Sequence, residues 1–276
     1  MAKLDTAGAS HVGRVRKNNE DSFVICNSSV TLAVVADGIG GHAHGEVASQ
    51  MCCTLLAEKF RQSSMDDTWS SENAARTLFE WIEETNTAIF ERNKEEMNPL
   101  PMGSTVCAAL FFPDFIVSAN AGDSRLYALD KKRLKLLTRD HVVCQNGGCY
   151  LSKAVGVAKK ACPEMKVFSC KNPGKFILVS DGIYNSMSEK ELASLAEAER
   201  EAKERLFRVK AAVRELNELT CAEKTDADAR VRLLEELDAA RAEAETLLCS
   251  LAEKRAQLKE EWEDARFALG GALPQA

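Results

Sequence analysis

The sequence predicts an α+β domain, with β-sheets packed together and helices outside, followed by a long helical appendage. Residues 1–190 hold 13 of the 15 glycines and equal numbers, 22 each, of acidic and basic side chains. Residues 191–276 hold 20 acidic and 14 basic side chains, and no proline occurs between Pro173 and Pro274. We therefore expect a mixed domain over 1–190 and a helical hairpin or coiled coil over 191–276.

Short apolar segments predict the strands of the first domain, because each is β-prone and bounded by Gly, Pro, Asn or Asp. They are Ser22–Cys26, Thr31–Ala36, Ser104–Phe112, Phe115–Ala119, Arg125–Leu129 and Lys175–Ser180. Between them, Glu46–Phe60 and Ser70–Asn93 predict helices; the second has apolar side chains at helical spacing. The order of these elements along the chain, with strands first, then helices and then further strands, favours an α+β arrangement.

Two heptad seams predict the appendage. One runs through Ala202, Leu206, Val209, Val213 and Leu216, and the other through Leu234, Leu237, Ala244, Leu248, Leu251, Leu258 and Trp262. Between them, Thr225–Asp228 has the spacing of a helix-start capping arrangement. We expect an antiparallel hairpin. Its stripes either pack on each other or on the domain, or they bind a helical partner or a second copy through 202–269.

Composition excludes several classes of protein. The chain is 45% hydrophobic and 28% charged, which excludes disorder, and no apolar run is long enough to span a membrane or resembles a signal peptide. A net charge of −6 argues against nucleic acid as a partner. Ten scattered cysteines without a C-x-x-C pair favour reduced thiols. The sequence therefore predicts a cytoplasmic protein with no membrane partner.

Acidic residues beside glycine follow three of the predicted strands. Asp37 precedes Gly38, Asp123 follows Gly122, and Asp181 precedes Gly182, while Glu20 and Asp21 open another strand. A single case of this kind is usually a turn residue. Three cases in one domain favour a site at the edge of the sheet.

Such acids can converge only if their repulsion is offset. Two like charges about 4 Å apart cost about 4 kcal/mol at an effective dielectric near 20, so either some acids are protonated or divalent cations lie among them. Oxygen ligands favour Mg²⁺ or Mn²⁺, and two such ions activate water for phosphate-ester hydrolysis. Nearby, Arg16 could hold a phosphate and His42 could protonate a leaving alkoxide.

Seven segments occur in the order typical of one family. They are GRVRKNNEDS, ADGIGGHAHGEVAS, GSTVCAALF, ANAGDSRLYAL, LTRDH, LSKAVG and FILVSDGIYNSMSEKEL. Over roughly residues 8–195 the chain resembles the metal-dependent protein phosphatases, in the bacterial branch of the PP2C-type serine/threonine phosphatases. The resemblance implies an α-β-β-α sandwich of two antiparallel sheets flanked by helices. It also implies hydrolysis of phosphoserine or phosphothreonine in proteins by a metal-bound hydroxide, with two Mn²⁺ or Mg²⁺ ions in a cleft.

The resemblance also implies roles for individual residues. Asp37 matches the carboxylate that bridges both metals, beside the Gly38 carbonyl, and Asp181 matches a ligand of the first metal. Glu20 and Asp21 match the acidic pair at the second metal, and it stays open which of them ligates directly. The remaining matches are Asp123 for a third, weaker metal, Arg16 for phosphate binding and His42 for the general acid.

The chain departs from the family pattern in two places. Only nine residues separate His141 from Leu151, where relatives insert a longer helical flap. Nothing after Asp181 reproduces the terminal G-G-x-D-N-x-T segment, whose Asp is a further ligand of the first metal. An acid of the appendage, Asp226 or Asp228, could replace it. The alternative function is a catalytically impaired pseudophosphatase that binds or scaffolds phosphoproteins through its helical appendage.

Overall fold

The structure, a computed structural model, describes residues 4–12, 16–39, 44–96, 101–130, 133–145, 147–169, 174–194, 196–197 and six positions between 232 and 246. The chain divides into two units, Met1–Asn185 and Ser186–Ala276. The strands are β1 (Asp21–Asn27), β2 (Thr31–Ile39), β3 (Gly103–Ser104), β4 (Val106–Phe111), β5 (Phe115–Ala121), β6 (Arg125–Asp130), β7 (Arg133–Leu136), β8 (Val142–Gln145), β9 (Gly148–Leu151), β10 (Glu164–Ser169) and β11 (Lys175–Val179). The helices are α1 (Gly45–Gln62), α2 (Ser71–Glu95) and α3 (Asp181–Tyr184).

Within the described residues, the strands form two main antiparallel sheets. The larger has the order β1-β2-β4-β5-β10, with β3 paired to β2, and the smaller has the order β11-β6-β7. Strands β8 and β9 form a separate hairpin. The α+β class predicted from the sequence is therefore confirmed.

Strand β4 shows how the layers stack, because its side chains alternate between two buried faces. Val106, Ala108 and Leu110 belong to the core cluster that includes Leu56 of α1 and Ile82 of α2. The intervening residues face a second cluster, which joins the larger sheet to the smaller one and consists of Cys107, Ala109, Ile116, Leu126 and Leu137. Helices, large sheet and small sheet therefore form successive layers.

The helices begin where the sequence predicts. Ser70 caps α2, because its side chain accepts a hydrogen bond from the backbone N–H of Asn73. Helix α1 packs against α2 through an edge-to-face contact of Phe60 with Trp81, whose ring centroids are 6.4 Å apart. These contacts fix the helical layer over the larger sheet.

Several strands were not predicted. Strands β7 and β10 lack a long apolar run, because charged residues alternate with apolar ones in RLKL and EMKVFS. The predicted strand Ser104–Phe112 is interrupted at Thr105, which leaves β3 and β4 on either side.

The expectation of uniformly reduced thiols is wrong for one pair of cysteines. Cys144 and Cys149 face each other across the β8–β9 hairpin and form a disulfide. Of the other described cysteines, the free thiols are Cys26, Cys52, Cys53, Cys107 and the exposed Cys162.

The second unit begins with a helical segment at 189–194. The Ser188 hydroxyl and backbone N–H both donate to the Glu191 carboxylate, and the Glu191 N–H donates to the Ser188 hydroxyl, which is a capping box. The six described positions between 232 and 246 are helical and exposed. The two heptad seams, Asp226 and Asp228 fall almost entirely outside the described residues, so the hairpin and its partner stay predictions. None of the helices in the described part of the chain is long and apolar enough to cross a membrane.

Candidate active site

The pairing of β1 with β2 brings the first two carboxylates together. Asp21 lies directly opposite Asp37 in the antiparallel register, so both side chains project from the same face. Thr105 holds the backbone of Asp37 from the other side, since its hydroxyl accepts from the Asp37 N–H at 2.9 Å and its N–H donates to the Asp37 carbonyl at 2.8 Å. The interruption between β3 and β4 therefore fixes the end of β2.

The pairing of β6 with β11 brings in the other two carboxylates. Val179, the last residue of β11, lies opposite Arg125, the first residue of β6. Residues that follow β11 therefore meet residues that precede β6. This register places Asp181 and Tyr184 of α3 next to Asp123.

One short segment, 180–185, contacts all four aspartates. The Ser180 hydroxyl donates to Asp21 at 2.7 Å, and the pKa of Asp37 is raised by burial and further by the charge of Asp181. The Tyr184 hydroxyl donates to Asp123 at 3.2 Å, and the Asn185 amide donates to Asp181 at 3.3 Å. The interaction of Asp37 with Asp181 supports the expectation that the two carboxylates are neighbours, and a cation shared between them stays a prediction.

Burial and mutual repulsion hold these acids in an unfavourable electrostatic environment. Burial, followed by the charges of Asp21 and Asp181, raises the pKa of Asp37 to about 8. The pKa of Asp21 and that of Asp123 are also raised, in each case mainly by burial and further by the charge of Asp181. A cluster of this kind is stabilised by positive charge.

Glu20 lies at the edge of the aspartate cluster, where the backbone at the end of β2 packs closely against the start of α1. The Gly38 N–H donates to the Glu20 carbonyl at 2.9 Å. A Cβ at Gly38 would lie 2.2 Å from the carbonyl oxygen of Gly45, and a Cβ at Gly45 would lie 3.0 Å from Oε1 of Glu20. Glycine at both positions lets the start of α1 approach the end of β2 and the Glu20 carboxylate.

Arg16 lies next to Glu20 in the structure. Its guanidinium forms an ion pair with Glu20 at 3.2 Å, and 75% of its side chain is exposed. Its charge also lowers the pKa of Asp21, which opposes the effect of burial. Arg16 can therefore reach the cluster and a ligand in solvent. His42 lies outside the described residues, so its predicted position is not tested.

The donor set fits hard divalent cations. The acidic side chains gathered here offer carboxylate oxygen, which Mg²⁺ and Mn²⁺ prefer over sulfur or nitrogen. Among the described residues, no group of three or more His, Cys, Asp or Glu side chains is arranged so that it could hold a metal ion. Asp21 and Asp123 instead accept hydrogen bonds from the hydroxyls of Ser180 and Tyr184. The chemistry of the donors therefore matches Mg²⁺ or Mn²⁺, while the number of ions stays a prediction.

Sequence reasoning missed the groups that support the acids. Thr105 and Ser180 lie in the family motifs but were assigned no role, because hydroxyls beside strand ends are common. Arg125 and Asp140 also lie in these motifs, and they form a bidentate ion pair with a shortest distance of 2.7 Å. Tyr184 could have been found, since it lies three residues after Asp181 and so on the same face of a helical turn.

An antiparallel sandwich with a cluster of aspartates at its strand ends is the architecture that the resemblance to the metal-dependent protein phosphatases implies. The family model described as Protein phosphatase 2C matches residues 7–219, and the chain belongs to this family. A serine/threonine phosphatase, Stp, of Listeria welshimeri is 30% identical over 211 residues, covering 70% of this chain and 83% of the relative.

Solved structures agree with this assignment. A bacterial serine phosphatase, solved as a mutant, has a TM-score of 0.60 at 28% identity, covering 68% of this chain and 80% of the other. PppA, described as a key regulatory component of T6SS in Pseudomonas aeruginosa, has a TM-score of 0.59 at 27% identity, covering 68% and 81%. The predicted family and the sandwich of antiparallel sheets with flanking helices are confirmed.

Proposed function

We propose that this chain hydrolyses phosphoserine and phosphothreonine in proteins, using Mn²⁺ or Mg²⁺ held by the aspartate cluster. The observation that carries the proposal is the convergence of Asp21, Asp37, Asp123 and Asp181 on the segment 180–185. The relatives named serine/threonine phosphatases support the same substrate class.

The proposed ligands follow from the family pattern and the cluster together. Asp37 would be shared by two ions, beside the Gly38 carbonyl, and Asp181 would complete the first site. Glu20 or Asp21 would serve the second ion, and Asp123 a third, weaker one. When bound, such ions lower the pKa of water and polarise the phosphoryl oxygens.

The chain's own groups bind and orient the substrate. The Arg16 guanidinium can donate two parallel hydrogen bonds to a phosphoryl group, and its ion pair with Glu20 holds it beside the cluster. Ser180 fixes one carboxylate oxygen of Asp21, and Thr105 fixes the backbone of Asp37. His42 would donate a proton to the leaving serine or threonine oxygen.

The surroundings of the cluster support a protein substrate. An open cleft of about 400 Å³ lies beside Asp21, between the N-terminal segment and the face of α1 that carries Gln50, Thr54 and Arg61. A cleft lined by these polar side chains together with Phe23 and Val24 can accommodate residues that flank a phosphorylated side chain.

The cytoplasmic location stays an inference from the sequence. Cys52 and Cys107 are free thiols, whereas Cys144 and Cys149 form a disulfide.

The pseudophosphatase alternative rests on the ligand that the sequence lacks after Asp181. No described contact favours it, and the relatives cited above are named as phosphatases. We therefore retain the hydrolase as the proposed function.

Phosphate release from p-nitrophenyl phosphate and from a phosphothreonine peptide, with and without Mn²⁺, tests the proposal. We expect Mn²⁺-dependent release, and a loss of more than about 100-fold in Asp37→Asn, since even outer-shell partners of a metal site contribute roughly 10- to 100-fold. Asp114→Asn is the matched control, because Asp114 is an exposed acid in the turn between β4 and β5. Wild-type protein that releases no phosphate with Mn²⁺ would contradict the proposal.

A further inference from the structure

Tyr184 joins two parts of the site that come from distant parts of the chain. It ends the single helical turn that Asp181 begins, and its hydroxyl donates to Oδ2 of Asp123, 3.2 Å away and 61 residues earlier. This hydrogen bond constrains the orientation of the Asp123 carboxylate, and a carboxylate with about four lone-pair sites keeps capacity for a cation.

The ring of Tyr184 is itself held in place by charged groups. The guanidinium carbon of Arg125 lies 3.6 Å from the ring centroid, which is a close cation–π contact. Arg125 is fixed in turn by three contacts with the Asp140 carboxylate, at 2.7, 3.1 and 3.2 Å, and by a hydrogen bond to the Tyr127 hydroxyl at 3.0 Å. A ring stacked on so constrained a cation has little freedom to carry its hydroxyl away from Asp123.

We propose that Tyr184 is a positioning residue for the phosphatase site: it orients the Asp123 carboxylate toward a divalent cation. The Arg125–Asp140 ion pair supports it by holding the ring. This inference rests on the proposed function only in taking Asp123 as a cation ligand. It assigns Tyr184 no contact with the substrate and no proton to transfer.

A purely structural role for Tyr184 would depend on the ring, whereas positioning depends on the hydroxyl. Tyr184→Phe separates the two, because it retains the stack on Arg125 and removes the donor to Asp123. Tyr150→Phe is the matched control, since it removes the hydroxyl of an exposed tyrosine of β9 that has no described contact with Arg125 or with the four aspartates.

The test is a titration of the full-length protein with Mn²⁺ in the absence of substrate, followed by the electron paramagnetic resonance signal of free Mn²⁺. We expect Tyr184→Phe to weaken the weakest class of Mn²⁺ sites by about tenfold, as removal of an outer-shell partner does, and Tyr150→Phe to match wild type. Adding Tyr184→Phe to Asp123→Asn should cause no further loss, because both changes act through one carboxylate.

Folding is checked separately, by the melting temperature of the metal-free variant. Loss of one hydrogen bond should lower it by no more than about 4 °C. A second variant, Asp140→Asn, loosens the support of Arg125 without touching Tyr184, and it should weaken Mn²⁺ binding in the same direction by a smaller factor.

Each outcome discriminates between the two proposals. An unchanged isotherm for Tyr184→Phe, in protein that hydrolyses phosphopeptide, overturns the positioning role and leaves the function standing. Wild-type protein that binds Mn²⁺ and loses affinity in Tyr184→Phe, yet releases no phosphate, overturns the function and supports the positioning role. Wild-type protein that binds no Mn²⁺ overturns both.

Discussion

Arg16 shows how an exposed side chain can serve a site that buried residues build. Its ion pair with Glu20 is solvent-accessible and contributes little to folding, because exposed pairs are typically worth less than about 1 kcal/mol. The same exposure leaves its planar guanidinium accessible to a phosphoryl group. We therefore propose that Arg16 contributes to substrate binding and not to folding.

Replacing Arg16 with lysine should raise KM for a phosphopeptide by about tenfold, because lysine cannot reproduce two parallel hydrogen bonds, and one charge-assisted bond is worth about 1.5–3 kcal/mol. The melting temperature should not change. Steady-state kinetics and thermal unfolding measure both quantities. Lys17→Ala removes the neighbouring exposed cation and serves as control; an equal rise in KM there would indicate a general effect of positive charge.

His141 lies between the candidate site and the β8–β9 hairpin, and its hydrogen bonds define its tautomer. The Gly122 N–H donates to Nδ1 at 3.2 Å, so the ring proton resides on Nε2, which faces Glu164 at 3.3 Å. Burial lowers the pKa of His141 below its usual 6.5; Lys153 and Arg139 act in the same direction, and Glu164 opposes them. The neutral ring is therefore the form that fits this fold.

Lowering the pH should weaken the contact between His141 and Gly122. The pKa of His141 is lower in the folded protein than in the unfolded chain. The contribution of His141 to the free energy of unfolding is therefore complete above about pH 6.5 and is lost as the pH falls below that value. Protonated Nδ1 also cannot accept from Gly122. We expect hydrogen-exchange protection of the Gly122 and His141 amides to decrease below about pH 6.5. His141→Gln retains an acceptor without a titrating ring, so its protection should stay constant over this range; a parallel decrease there would exclude the histidine as the cause.

At the scale of elements, the β8–β9 hairpin occupies the segment between His141 and Leu151, where the resemblance to the family predicts a shortened flap. In the described part of the chain it pairs with no other strand, and every residue of β8 is exposed. An isolated two-stranded hairpin is marginally stable in water. The Cys144–Cys149 disulfide restrains the hairpin in a way that the packing of the hairpin does not.

Reduction of this disulfide should loosen the hairpin by about 2 kcal/mol, the amount that closing so short a loop contributes. The measurement is hydrogen exchange over 142–151 with and without a dithiol reductant, with Cys144→Ser reproducing the reduced state. Cys162→Ser is the control, because Cys162 is exposed and free. Equal protection of the oxidised and reduced forms would mean that other contacts hold the hairpin.

The elements also show what sequence can and cannot predict. Strands β2 and β4 are apolar on both faces, so composition alone identified them, whereas exposed β7 and half-buried β10 alternate charged and apolar residues and resemble loops. Asp37, Asp123 and Asp181 were predictable because each comes after an apolar run, and Glu20 and Asp21 because they lie at the start of another. Their mutual contacts were not, since they depend on the β1–β2 and β6–β11 registers, which bring residues as far apart as Asp21 and Ser180 together.

At the scale of the whole molecule, cation binding and folding should be linked. Clustered acids destabilise the metal-free protein, and a ligand that binds only the folded state stabilises it by about 2.7 kcal/mol at 100 times its Kd. For a chain of this size we expect Mn²⁺ at that excess to raise the melting temperature by roughly 5–10 °C. Differential scanning fluorimetry measures the shift, with Asp37→Asn as the comparison. An equal shift in that variant would place the stabilising ion elsewhere.

The segment 180–185 has a mechanical consequence for the whole protein. Because Asp21 and Asp123 are hydrogen-bonded to this segment and Asp181 belongs to it, an insertion or deletion there would displace three carboxylates at once. Changes to the proposed metal site are therefore better made at Asp37 in β2, where one carboxylate can be altered while the hydrogen bonds from Ser180 and Tyr184 stay in place.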